Sequence, residues 1–311
     1  MESLCASSEN RCFVMAEESL RDTPQQRARK AFEALIAGDE ATIDLAHAAL
    51  LIASEEYPDL NIAQYMAKLD TLAQQVLGVL GLSATQAQAE IAAQIPPEQI
   101  LEAMNLVLFE QEHFHGNTAD YYNPRNSFLN DILDQHTGIP ITLSLLYMEV
   151  GKRLGMQIDG IGLPWHFVVR YRLPSGIIYI DTFGRGRLLT EQDCRDLVQR
   201  NIKGKVKFNP DWLEPVSNKQ LLQRLLGNLK HIYITQGDYV RALSISDRIL
   251  ILAPHSAIER RDRGALHLHF KNYARALRDL KAYVELAPQA NDIKRIRQQI
   301  RDIRQMIALM N

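Results

Sequence analysis

Apolar residues between positions 24 and 115 recur mostly at steps of three and four, the spacing of one buried helix face. Ala31, Leu35, Ile43, Leu45, Ala48, Leu51 and Ile52 form a first such series. Met66, Leu69, Leu72 and Val76 continue it in a helix predicted from Ile62 to Leu80. The pair Pro96-Pro97 breaks the pattern before another helix from Glu98 to Glu112. A short helix over Ser127 to Leu133 is expected with Asn126 or Ser127 as its cap. A longer one follows from Gly138 to Leu154, with Leu143, Leu146, Tyr147, Val150 and Leu154 on one stripe and Gly155 as its stop.

The period then changes to two. Trp165, Phe167, Val169 and Tyr171 point one way and His166, Val168 and Arg170 the other, which predicts a strand. Pro174-Ser175-Gly176 turns the chain, and a second strand returns over Ile177 to Phe183. If the loop is Pro174-Ser175 alone, Leu173 faces Gly176, His166 faces Phe183, and Asp181 lies diagonally beside His166 on one face. A loop that closes Leu173 on Ile177 puts Asp181 on the opposite face unless a bulge intervenes. The residues allow both.

Past Asn218 the chain repeats itself. Gly-Asp-Tyr-Val-Arg-Ala-Leu at 237–243 and Lys-Asn-Tyr-Ala-Arg-Ala-Leu at 271–277 are 34 residues apart, as are Ala253-Pro254 and Ala287-Pro288. Tyr239 with Tyr273, Ala242 with Ala276 and Leu252 with Leu286 resemble the tetratricopeptide pattern, in which paired helices cross closely over small residues. Two repeats cannot bury their faces alone. The stripe Ile293, Ile296, Ile300, Ile303 and Ile307 is expected to cap one end, and the other end to dock on the central region.

Composition narrows the function. With 311 residues and 46% apolar content, the chain can bury two or three cores. Its 35 basic and 37 acidic residues leave a net charge of -2, which gives no field to hold nucleic acid. No apolar run approaches the roughly 18 residues of a membrane span, and the first 20 residues lack a signal-peptide pattern, so a cytoplasmic location is expected and no membrane association. The polar tail over 1–23 is expected to be disordered, with Met15 as an alternative start. Cys5, Cys12 and Cys194 supply neither a disulfide framework nor metal-ligand spacing.

Three stretches carry a family resemblance: Tyr122-Asn123-Pro124-Arg125-Asn126-Ser127-Phe128-Leu129-Asn130-Asp131, Gly162-Leu163-Pro164-Trp165-His166-Phe167-Val168-Val169-Arg170-Tyr171, and Tyr179-Ile180-Asp181. With the segment Gly138 to Tyr147 they resemble the SirB family of transglutaminase-like proteins. The resemblance implies a mostly helical α+β fold with three parts. Helices over 24–118 precede a transglutaminase-like (papain-like) core with a small antiparallel sheet over 119–216, and tetratricopeptide repeats with a capping helix fill 217–311. In that superfamily a thiolate at the start of a buried helix is the nucleophile, a strand histidine the base and an aspartate its orienting partner. Carried onto this chain, His166 is the base and Asp181 the orienting carboxylate, while the nucleophile position falls on Pro140.

Other candidates are weaker. Thr142 and Ser144 are hydroxyls in the same helix but do not occupy the nucleophile position. Cys194 follows a Thr190/Asp193 capping pattern and reads as a structural thiol. Glu110, Glu112, His113 and His115 lack metal-ligand spacing, and a helix C-terminus explains the two histidines more simply. Lys294, Arg295, Arg297, Arg301 and Arg304 read as a solvated face. The expectation is a non-catalytic scaffold or adaptor without cofactor or metal, which binds a protein or peptide through a repeat framework of Tyr239, Tyr273, Ala242 and Ala276. The alternative is a hydrolase or acyltransferase that uses His166 and Asp181 with an unrecognised nucleophile.

Overall fold

The computed structural model describes residues 22–82, 95–202 and 207–310. Most of the expected N-terminal tail, including Met15, Cys5 and Cys12, lies outside these residues. Thr23 already has a structural role, because it opens α1 (Pro24–Ile36). Its hydroxyl accepts the Gln26 N–H and the Gln26 side chain accepts the Thr23 N–H, a reciprocal capping box. Asp44 caps α2 (Leu45–Ala53) and Asn61 caps α3 (Ile62–Val79) in the same way from one side. Every residue of α2 except His47 is buried, so this helix is the centre of the N-terminal layer. The helix expected from Glu98 is composite: α4 (Pro97–Asn105) widens into π-helical turns over Leu106–Gln111.

Next, β1 (His115–Gly116) pairs in parallel with β2 (Thr137–Gly138) around α5 (Leu129–Gln135). The expected cap at Asn126 or Ser127 is corrected here. A 3-10 turn over Pro124–Ser127 precedes α5, and Phe128 is its N-cap without a side-chain bond. Asn126 is used elsewhere: its amide nitrogen donates to the carbonyls of Asp120 at 2.7 Å and Tyr121 at 3.2 Å. The long helix, α6 (Pro140–Arg153), starts two residues after the expected Gly138, which belongs to β2. It ends at Gly155, whose φ of 76° continues the chain where an L-residue would strain.

The sheet has four antiparallel strands in the order β3 (Asp159–Ile161), β4 (Val168–Leu173), β5 (Gly176–Asp181) and β6 (Arg187–Leu189). Leu173 pairs with Gly176, so the loop is Pro174-Ser175 and the shorter alternative is the one adopted. Both faces are covered. Phe167, Val169 and Ile180 join the apolar core with α6, while Ile161, Val168, Tyr179 and Leu189 pack with Cys194 and Val198 of α7 (Glu191–Ile202).

The expected place of Trp165 on the strand, on one face with Phe167, Val169 and Tyr171, is also corrected. The strand begins at Val168, and Trp165 is 80% exposed with a φ of 59°. Pro164 and Trp165 form a turn closed by the His166 N–H on the Leu163 carbonyl at 3.2 Å. Proline second and positive φ third is the pattern of a type II turn, which overrides the two-residue alternation.

The repeat region contains α8 (Asn218–Gln236), α9 (Tyr239–Leu252), α10 (Ala257–His269), α11 (Tyr273–Leu286) and α12 (Ile293–Met310). Ala242 and Ala276 are fully buried. At the α10–α11 crossing a Cβ on Gly264 would lie 2.9 Å from Leu280, so the helices approach too closely for a larger residue. Leu221, Leu222, Leu225, Leu226 and Leu229 of α8 belong to the same core as α2 and α6, so the array docks as expected. Ala276, Leu280, Tyr283, Ile296, Ile300 and Ile303 form a separate C-terminal cluster, with α12 as its cover.

Candidate functional site

Beside the loop that carries Tyr121 and Tyr122, three segments meet at a cleft of about 190 Å³. The first is the start of α6, where Pro140 stands at the N1 position, loses no intrahelical hydrogen bond and has a suitable fixed φ. The Thr142 hydroxyl accepts the Ile139 N–H at 3.1 Å and donates to the Asn126 carbonyl at 2.8 Å, which ties the helix start to the loop that carries Tyr121 and Tyr122. The second segment is the turn from Leu163 to His166. The third is α8, which brings Arg224, Asn228 and His231.

His166 Nε2 and Asp181 Oδ1 are 2.9 Å apart, both largely buried. A neutral imidazole that donates Nε2–H to this carboxylate has its lone pair on Nδ1, the tautomer a base requires. Asp181 Oδ1 also accepts the Gly184 N–H at 3.1 Å. Burial alone would raise the Asp181 pKa, but the hydrogen bond and charge of His166, the Gly184 amide and Arg187 outweigh it and hold the carboxyl below its usual range. A Cβ on Gly184 would come within 2.7 Å of Asp181 Oδ2, so only glycine lets the loop close over the pair.

Among the described residues no thiol or hydroxyl is bonded to His166. Pro140 lines the cleft with His166 and has no reactive atom. The Ser144 hydroxyl is spent on Thr182 at 2.9 Å, and Thr142 on the loop. Cys194 is buried in the apolar cluster under α7, where burial first, then Asp193 and Asp181, push its thiol up to about 12. Such a thiol stays protonated, the opposite of an activated one. Thr190 and Asp193 do form the reciprocal cap of α7.

The acidic and histidine residues near 110–115 do not converge on a site. His113 has a φ of 59°, His115 Nδ1 lies 2.9 Å from the His113 carbonyl oxygen, and Gln75 donates to Glu112 at 2.7 Å. Among the described residues no group of three His, Cys, Asp or Glu side chains is arranged around a metal position. Lys294, Arg295, Arg297, Arg301 and Arg304 are all exposed on α12. In the repeat framework the Tyr239 ring lies tilted by 53° against His269, 4.3 Å between ring centroids, and Tyr273 packs against the Ala276 cluster.

The sequence reading missed Arg224, Asn228 and His231. They follow at four- and three-residue steps on one stripe of α8, beside its leucine face. That polar stripe is visible in the sequence, but only the docked helix shows what it faces. A larger cavity of about 490 Å³ lies between α1, α2 and α9. Its charges are already paired, Arg29 with Glu55 at 2.8 Å, Arg248 with Glu55 at 2.7 Å and Arg241 with Glu56 at 2.8 Å. No helix among the described residues is long and apolar enough to cross a membrane.

Known proteins match the chain along most of its length. The transglutaminase-like superfamily matches residues 63–227 and a tetratricopeptide repeat family matches 229–301. A UPF0162 protein of Xylella fastidiosa (strain Temecula1) is 34% identical over 268 residues, 85% of this chain and 92% of that one. Human F-box only protein 21 is 31% identical over 188 residues, 55% of this chain and 29% of that protein. The crystal structure of menin covers 91% of this chain and 75% of menin at 12% identity, with a TM-score of 0.36, too low to relate the folds. The chain therefore belongs to the transglutaminase-like superfamily, among the UPF0162 proteins, with tetratricopeptide repeats after its transglutaminase-like domain.

Proposed function

We propose that this protein is a non-catalytic, SirB-like member of the superfamily that works in the cytoplasm as an interaction scaffold. The repeats engage a protein or peptide partner, and the transglutaminase-like domain supports them and offers a second surface. The observation that carries this reading is the pairing of Pro140 and His166 in one cleft. His166 is hydrogen-bonded to Asp181, but the helix start that lines the same cleft is a proline, and no thiol or hydroxyl among the described residues bonds to the imidazole. The repeat region supports the interaction role, since stacked helix pairs present extended surfaces suited to peptides.

The test is intact-protein mass spectrometry after incubation with a glutamine-mimicking electrophile. No stoichiometric adduct is expected. Site-specific labelling of Cys194 that disappears in a His166→Ala variant would overturn the reading in favour of an acyl-transfer enzyme.

A further inference from the structure

The cleft contains a cation that no carboxylate among the described residues neutralises. Arg224 is half-buried, its guanidinium 5.4 Å from the centre of the Phe167 ring. Its Nη2 donates to the Leu163 and His166 carbonyls, each at 2.6 Å, and so holds both ends of the turn that carries Trp165. Nε and Nη1 have no protein acceptor among the described residues, and no acidic side chain among them lies in ion-pair range. Arginines of similar or deeper burial are treated differently. Arg29, Arg153, Arg170, Arg248 and Arg263 each meet a carboxylate within 2.9 Å. Burial lowers the Arg224 pKa with only Tyr121 opposing it, so an incoming anion would recover what desolvation costs.

The surroundings define that anion. Asn228 and His231 add polar groups on the same stripe of α8, and Asp181 is turned away onto His166 and Gly184, so no acidic side chain among the described residues lines the cleft. Tyr122 and Trp165 stand exposed at the rim, at 62% and 80%, with Tyr121 between the cleft and Phe183. A volume of about 190 Å³ is below the roughly 300 Å³ at which whole small-molecule sites begin, which suits the end of a chain. One uncompensated guanidinium matches a monoanion, whereas a phosphate dianion asks for a second cation.

We propose that this cleft binds the C-terminal carboxylate of a polypeptide, held by Arg224 and Asn228, with the preceding apolar side chain laid against Tyr121, Tyr122 and Trp165. The site uses α8 and the transglutaminase-like domain, not Tyr239, Tyr273, Ala242 or Ala276, and stands whether or not those later repeats capture a partner.

The test uses the full chain with Trp212→Phe, which leaves Trp165 as the single reporter of the two tryptophans. Calorimetry on the unmodified chain gives a second readout. The probes are the hexapeptide Gly-Ser-Gly-Ser-Leu-Phe as free acid, the same peptide as C-terminal amide, an amidated peptide with an internal phosphoserine, and inorganic phosphate. The free acid should shift Trp165 emission to the blue and saturate, with the amide weaker by about tenfold or more, the worth of one charge-assisted hydrogen bond. His231→Glu, at an exposed position, and Asn228→Asp should keep the melting temperature and weaken the free acid. Equal binding of acid and amide, no response to either peptide, or unchanged affinity in both folded variants overturns the assignment. A stronger response to the phosphoserine peptide or to phosphate also overturns it, and makes the cleft a phosphate site.

Discussion

Pro140 at the start of α6 and His166 line one cleft, and no thiol among the described residues lines it with them. Pro140→Cys should therefore fold and supply the missing atom. The helix N-terminus and His166 should depress the new thiol below the ordinary value of about 8.5. The pH dependence of iodoacetamide alkylation measures this, and His166→Ala should return the midpoint upward. An ordinary midpoint in both proteins would show that the histidine does not address position 140.

Trp165 occupies a left-handed conformation that costs an L-residue roughly 1 to 2 kcal/mol. Since the ring is mostly exposed, little burial is lost with it. Trp165→Gly should leave urea stability unchanged or raise it by about 1 kcal/mol, whereas Trp165→Val, β-branched at positive φ, should lower it. A clear loss on Trp165→Gly would mean that the ring supports the fold.

Acid should act through paired carboxylates. Burial alone would raise Glu55 and Asp279, but Arg29 and Arg248 with Ser244 hold Glu55 below 4.5, and Arg263 with Arg260 hold Asp279 below 3.8. A depressed native pKa means that the unfolded chain binds protons more readily. The stabilisation is thus present above about pH 4 and lost as pH falls through the native values. Melting temperature should be flat in this contribution from pH 7 to 5 and drop below about pH 4. Glu55→Gln should shrink that acid drop and, because it strands the buried Arg248, cost about 3 to 5 kcal/mol at neutral pH.

Enlarging the repeat crossing should loosen only the far end of the chain. Ala276→Phe overpacks a fully buried position at a cost of roughly 1 to 3 kcal/mol. Because the cluster around Ala276 is separate from the main core, limited proteolysis should cut within 257–310 first, with Trp165 emission unchanged. Simultaneous loss of both signals would show that the clusters unfold together.

The helices were legible because their apolar spacing is local, as is the Thr190 and Asp193 cap of α7, whereas the cap expected at Asn126 or Ser127 gave way to the 3-10 turn before α5. The His166 and Asp181 contact was legible as one of two registers, and the Leu173 to Gly176 pairing decided it. The outer strands β3 and β6 were not legible, since three residues cannot display a period. Trp165 was misread because alternation through residues 165–171 outvoted the local Pro-Trp turn. Arg224 was missed because its significance depends on what α8 docks against, and a helix written in one segment does not state its partner.

The position of α8 also limits how such a chain can be recombined. Its leucines complete the central core, its polar stripe closes the cleft, and its last turn starts the helical stack through Tyr233. One helix is thus the shared property of both halves. A crossover before residue 218 would import a foreign wall for the cleft and a foreign plug for the core. A joint after Gly237 would exchange later helices and leave both intact, so new repeat faces can be grafted onto this chain only downstream of α8.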